Sequence, residues 1–261
     1  MLDTKKICNA LDKDGFFVVK DYISSKSCED YIKILEKLYL KRQKNKLYAG
    51  NDQYKVMYNY FFEYPKLFNL LYSKFTHKVI SNLIDNDYVL ISAAARNRQL
   101  VGEVNNQILT SGVGWHNDGR YVNNKLLRPS FTYFTILALD PFTKHNGATQ
   151  YVPKSHKKSL RPKRDGNYNY KIFNAQKGSL IIMDTALWHR AGQPTKRRRW
   201  AIFNMFSSWF IKPYTNFRKF YNADKIKKLS PIARQLLHFD SIPPSNHDGA
   251  IATLSRMRRN S

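Results

Sequence analysis

The sequence predicts a mainly β protein flanked by α-helices, with an all-β barrel or double sheet at its centre. Three observations predict it. Short apolar runs, separated by polar, Gly or Pro breaks, fill residues 88–206. The first hundred residues instead place apolar side chains at helical spacing. Aromatic residues make up 14% of the chain, which suits wide sheets and ligand pockets better than a plain helical bundle.

Each element follows in order. Asp14-Gly15 marks a turn, and Phe16-Phe17-Val18-Val19 reads as a short strand after it. Ser24, Ser25 and Ser27 offer helix N-caps, and Cys28, Tyr31, Ile32, Leu35, Leu38 and Tyr39 then fall at helical spacing. A second helix is expected over 65–84, with Leu67, Leu70, Leu71, Phe75, Val79 and Leu83 on one face. From Tyr88 strands are expected over 88–93, 114–117, 131–139, 149–152, 170–173, 179–183 and 200–206. Beyond Pro213 the chain is basic and weakly periodic, predicting one or two short helices and a frayed tail over 255–261. Residues 1–261 read as one domain: a helical part over about 1–87, a β core over about 88–211 and a basic segment over 212–261.

Composition excludes some classes. Cys8 and Cys28 are the only cysteines and form no CxxC pair, which rules out a disulfide framework and argues against a Cys-rich zinc site. Met1 to Lys6 lead into no apolar stretch, and no run of about 18 apolar residues exists, so neither a secretory signal nor a membrane span is expected. The expected location is cytoplasmic. The formal charge of +25, from 44 Lys and Arg against 19 Asp and Glu, has two readings. One is attraction to a polyanion or a phosphorylated substrate; the other, favoured because the cations are scattered, is a solvated Lys-rich surface.

The candidate chemistry centres on Gly114-Trp115-His116-Asn117-Asp118-Gly119. In an extended segment the period of two puts His116 and Asp118 on one face and turns Asn117 away. His-x-Asp alone is a common pattern. A second element, Ser179 to Asp184, reads as a buried strand that delivers a loop and His189. Two histidines and one carboxylate on one face of a metal leave positions open opposite, the arrangement of non-haem Fe(II) oxygenases. Arg199 lies ten residues after His189, at the head of an apolar strand, where a guanidinium can grip a carboxylate in bidentate fashion. Arg197 and Arg198 are read as a solvated basic turn. Trp115 and Trp188 are expected to pack, and His156 to be structural, as are His77, His145, His238 and His247.

These residues resemble the phytanoyl-CoA dioxygenase-like family of Fe(II)- and 2-oxoglutarate-dependent oxygenases. The matching motifs are Trp115-His116-Asn117-Asp118, the segment Asn146-Gly147-Ala148-Thr149-Gln150-Tyr151-Val152-Pro153-Lys154-Ser155-His156, and His189-Arg190-Ala191-Gly192 with Arg199. The opening Leu11 to Val19 is also similar to the family's N-terminus. The resemblance implies a double-stranded β-helix, the jelly roll or cupin-like core, dressed with helices. It implies His116, Asp118 and His189 as iron ligands, Arg199 on the distal carboxylate of 2-oxoglutarate, and O2 as oxidant. Hydroxylation with release of succinate and CO2 would follow. Two departures stand out: Lys154 occupies a place where the family usually has Gly, and Ala191 one where Ser is frequent.

Two rival readings differ in class. A zinc hydrolase could use the same three ligands, although no partner Glu of the HExxH kind is present. A basic nucleic-acid-binding protein would need a clustered basic face or a known motif, and neither is seen. The substrate-choosing loops are expected around 48–60, 96–113 and 120–128. Arg120, with Lys125, Arg128, Lys154, Lys157, Lys158, Arg161, Lys163 and Arg164, flanks strands expected to open at the metal end of the barrel, and a ring of these cations at its mouth predicts an anionic small-molecule substrate. If those cations are solvated surface, the substrate's charge stays open, as does the oligomeric state.

Overall fold

The computed structural model describes residues 3–45, 55–100 and 114–240. It opens with a helix, α1 (Thr4–Asp14), capped by Asp3, whose side chain accepts the Lys5 N–H at 2.9 Å. The helix stops at Gly15, which takes φ +83° and donates its N–H to the Leu11 carbonyl. Strand β1 (Phe16–Val19) follows as expected. Helix α2 (Ser25–Lys44) begins on Ser24, whose hydroxyl accepts the Ser27 N–H, and buries Cys28, Ile32, Leu35 and Leu38.

The helix expected over 65–84 is broken. A 3-10 turn, Pro65–Leu70, precedes α3 (Lys74–Leu83). The cause is a capping box: the Ser73 and Thr76 side chains accept each other's backbone N–H at 3.0 and 2.8 Å, starting a new helix. Two short helices close the described chain, α4 (Ala223–Lys227) and α5 (Pro231–Leu236). The tail expected over 255–261 and His247 lie outside the described residues. Among the described residues no helix is long and apolar enough to cross a membrane.

The strands are β2 (Lys55–Tyr58), β3 (Val89–Asn97), β4 (Tyr121–Val122), β5 (Lys125–Leu126), β6 (Thr132–Ala138), β7 (Gln150–Tyr151), β8 (Lys171–Ile172), β9 (Leu180–Asp184), β10 (His189–Arg190) and β11 (Trp200–Ser207). Six form an antiparallel sheet in the order β1-β9-β6-β11-β3-β2, and three form a smaller one in the order β10-β7-β8. Both faces of the large sheet are buried. Leu137, Ile182 and Ile202 join the helices in one core, while Ile136, Ile181 and Ala201 meet Tyr151 and Phe173 of the small sheet in another. Two facing antiparallel sheets with helices on one outer face are the double-stranded β-helix that the resemblance implies.

The strand expected over 114–117 reduces to a single antiparallel bridge, His116 with His189. Its neighbours bond elsewhere: Trp115 N–H donates to the Arg164 carbonyl and Asp118 N–H to that of Thr185. One irregularity in the large sheet matters for the site. The β3–β11 register shifts between Met205, paired with Ser92, and Phe206, paired with Leu90, so Ile91 has no partner on β11. The Ile91 carbonyl instead accepts the Tyr214 N–H at 3.0 Å.

Candidate metal centre

His116 and His189 sit on neighbouring backbones and exchange N–H···O bonds of 3.0 and 2.8 Å. This cross-strand pairing brings the imidazoles together with ring centroids 4.3 Å apart and the planes tilted by 54°. Asp118 comes onto the same side two residues later, while Asn117 turns away to Tyr121 and the Ala186 carbonyl. One ligand atom each from His116, Asp118 and His189 lies within 4.8 Å of the others.

Backbone carbonyls orient both rings. His116 Nδ1 is 2.9 Å from the Gly114 carbonyl and His189 Nδ1 is 2.8 Å from that of Leu187. A carbonyl can only accept, so each Nδ1 carries the proton and each Nε2 is left for the shared centre. His189 Nε2 lies 3.3 Å from Asp118 Oδ2, where either a proton or a metal ion can join them. Burial and the neighbouring His189 push the His116 imidazole below its ordinary pKa, against the pull of Asp118. Burial would raise the Asp118 carboxyl, but the hydrogen bond and charge of His189, with His116 and Arg96, hold it below the ordinary value. Two imidazole nitrogens beside a carboxylate held below its ordinary pKa are the donor set that a divalent cation needs.

A cavity of about 380 Å³ opens on these three residues. Its far wall holds Arg199, 4% exposed, with its guanidinium 4.5 Å above the Phe142 ring. Arg199 Nε and Nη1 are buried without a hydrogen-bond partner. Burial first, then the charges of Arg98 and Arg96, push its pKa down to about 9. A buried guanidinium with orphaned donors is unfavourable alone and suits an incoming carboxylate.

The other sequence expectations resolve as follows. Arg197 is exposed, as expected of a solvated turn, but Arg198 is not solvated freely. It bonds Asp140 and Glu29, because Asp140 also accepts the Trp200 N–H at the head of β11. His156 is structural: its Nε2 donates to the Asp12 carbonyl at 2.9 Å and the side chain is buried. Trp115 and Trp188 pack with Val152. Lys154 takes φ +59°, a left-handed conformation that explains why glycine suits that place.

Arg120 lines a second cleft with His116, Asp118 and Arg161, and is tied to the Tyr214 hydroxyl. The other expected rim cations scatter. Lys157 faces Asp12, Lys158 covers Trp188 and Arg128 reaches the Lys158 carbonyl. Two cavity residues, Arg96 and Arg98, fall where the sequence suggests a loop, although β3 extends to Asn97. Their alternation with Ala95 and Asn97 was the available signal.

A family profile described as Phytanoyl-CoA dioxygenase (PhyH) matches residues 11–200. Among curated proteins, "Uncharacterized protein Rv1501" of Mycobacterium tuberculosis is 32% identical over 119 residues, covering 43% of this chain and 42% of that protein. "Dioxygenase af480" of Aspergillus fumigatus is 30% identical over 111 residues, covering 41% of this chain and 36% of that protein. These matches thus span less than half the length of either relative. Among solved structures, HygX from Streptomyces hygroscopicus with nickel and 2-oxoglutarate bound superposes with TM-score 0.64 at 14% identity, over 85% of this chain and 95% of that one. EctD from S. alaskensis with bound Fe does so with TM-score 0.62 at 15% identity, over 81% and 80%. At such identities the superpositions establish the fold.

Proposed function

The chain belongs to the phytanoyl-CoA dioxygenase family of Fe(II)- and 2-oxoglutarate-dependent enzymes, and from that membership we propose that it hydroxylates a small-molecule substrate. The observation that carries the reading is one cavity holding both a His116–Asp118–His189 cluster and the orphaned donors of Arg199. The donor set fits iron, and Arg199 fits the far carboxylate of 2-oxoglutarate. The reading takes residues 1–261 as one oxygenase domain.

In this reading His116, Asp118 and His189 would hold the metal, each imidazole offering its Nε2 and Asp118 a carboxylate oxygen. Iron with 2-oxoglutarate and O2 supplies the oxidising chemistry, the co-substrate leaving as succinate and CO2. The chain's residues supply the geometry. The Gly114 and Leu187 carbonyls keep both imidazoles in the ligating tautomer. Phe134, Ile136, Met183, Phe203 and Met205 line the cavity and exclude water around the reacting centre. Arg120 is proposed to contact substrate from the adjoining cleft, where its Nη2 is buried without a partner.

The test is succinate formation by purified protein given Fe(II), ascorbate and 2-oxoglutarate. Wild type is expected to form succinate slowly without a prime substrate. Asp118→Ala and His189→Ala are expected to lose both bound iron and succinate formation while keeping the fold. Full iron occupancy in Asp118→Ala would refute the ligand assignment. Zinc-dependent hydrolysis without succinate would favour the hydrolase.

A further inference from the structure

Three guanidinium groups line the metal cavity, from Arg96, Arg98 and Arg199, and among its described lining residues only Asp118 opposes them. The three arginines are gathered by strand geometry. Arg96 lies on β3 and Arg98 directly follows that strand, two residues on, while β11, which Arg199 precedes, pairs with β3 and Arg98 donates its N–H to the Arg199 carbonyl. If iron and 2-oxoglutarate bind as proposed above, their charges of +2 and −2 cancel. Leaving Arg98 aside, Arg96 and Arg199 then face the single carboxylate of Asp118 among the described lining residues, one positive charge in excess.

The three arginines are not equivalent. Arg199 is the deep one, set against Phe142. Arg98 is buried and donates to the Gly192 carbonyl through Nε and Nη2. Arg96 is exposed, at the solvent side of the same wall. Its guanidinium lies 5.0 Å from the Phe203 ring centroid, which orients it by cation–π attraction, and no described carboxylate forms an ion pair with it. Small side chains at Ser92 and Ala94, on the same face of β3, leave open space beside it.

We propose that Arg96 selects the prime substrate, a small molecule with a carboxylate or phosphate group attached to an apolar body. The oxyanion sits on Arg96 and relieves the excess charge. The apolar body lies along Phe134, Phe203 and Met205, toward the metal ligands. The inference rests on the oxygenase reading, and its test separates the two.

The experiment titrates hexanoate, hexyl phosphate and neutral hexanamide into protein loaded with nickel(II) and 2-oxoglutarate, followed by calorimetry. Wild type is expected to bind one of the two anions at least about tenfold more tightly than the amide. The tighter anion identifies the group recognised. Arg96→Met and Arg96→Gln should each erase that preference, Arg96→Lys should restore part of it, and 2-oxoglutarate affinity should stay within about twofold. In parallel, the bound anion should protect Arg96 of the wild-type protein from phenylglyoxal, which tests the contact without a substitution. The inference is overturned if the three probes bind alike, if none binds loaded wild type at millimolar concentration, or if the variants weaken 2-oxoglutarate as much as the anion. Failure of wild type to bind nickel and 2-oxoglutarate at all would instead overturn the oxygenase reading.

Discussion

Arg198 and Asp140 form a two-point contact, with Arg198 Nε and Nη2 donating to Asp140 Oδ1 at 3.1 and 2.9 Å. The second Asp140 oxygen accepts the Trp200 N–H. One buried carboxylate thereby fixes the residues on either side of Arg199, and the period of two sends Arg199 to the opposite face. Asp140→Ala is expected to lower stability by about 1.5–3 kcal/mol, the range for hydrogen bonds to charged groups. Glu29→Ala, which removes a more exposed partner of Arg198, should cost less than about 1 kcal/mol. Urea unfolding of both variants checks the contrast, and equal losses would contradict it.

Burial separates two nearby arginines in function. Arg199→Ala should weaken 2-oxoglutarate binding by more than tenfold, since removing one partner of a buried charge pair costs about 2–5 kcal/mol. Arg197→Ala should change it little, because that side chain is exposed. Titration of 2-oxoglutarate into nickel-loaded protein measures both. Sensitivity at Arg197 in place of Arg199 would mean that the head of β11 is assigned two residues out of register.

His156 is a histidine that the metal centre should not need. It ties the turn at Ser155 to the end of α1 by its bond to Asp12, and it packs against Gly15. His156→Ala is expected to retain near-normal iron while losing about 1–3 kcal/mol of stability. Gly15→Ala should also destabilise, for two reasons. Its φ of +83° disfavours a side chain, and a Cβ there would lie 2.7 Å from His156 Nδ1. Metal analysis beside denaturant unfolding distinguishes the roles, and iron loss in His156→Ala would reverse the assignment.

Two histidines set an acid limit on stability. Burial pushes both His77 and His238 below the ordinary imidazole pKa, the latter despite its hydrogen bond to the Leu90 carbonyl. The unfolded chain therefore takes up these protons first as pH falls. Their contribution is present above the unfolded value of about 6.5 and is lost as pH drops through the lower folded values. Metal-free protein should lose stability between about pH 7 and pH 5 by urea titration. The His77→Gln/His238→Gln double variant should show a flatter profile, and an unchanged slope would refute the attribution.

Much of this architecture was legible because its signals are local. Ile181, Ile182 and Met183 form an apolar run between polar breaks, and His116 and Asp118 share a face by parity alone. What escaped depends on contacts distant in sequence. Strand β2 has Val56 and Met57 both buried, so no alternation marks it. Strand β3 runs through Ala93-Ala94-Ala95 into Arg96-Asn97-Arg98, residues with weak strand preference that read as a loop. Their arginines turn inward because a cavity exists there, and nothing local announces a cavity. The break at Ser73 was written in the sequence, but as a hydroxyl pair in place of the usual acidic capping residue.

The unpaired residue Ile91 has an effect on polarity that reaches along the whole strand. On its first side Leu90 faces the helices; on its far side Ala93 and Ala95 do, so the odd and even positions have exchanged faces. If the same residues kept strict alternation with no bulge at Ile91, Arg96 and Arg98 would point into the apolar layer against the helices. The electrostatic character of the cavity is therefore a property of the bulge at Ile91 as much as of the arginines themselves. Deleting one residue between Leu90 and Arg96 would remove the bulge and restore simple alternation with Arg96 still on the cavity face, whereas an insertion that kept a single bulge would exchange a cationic wall for an alanine one without altering a single charge in the sequence.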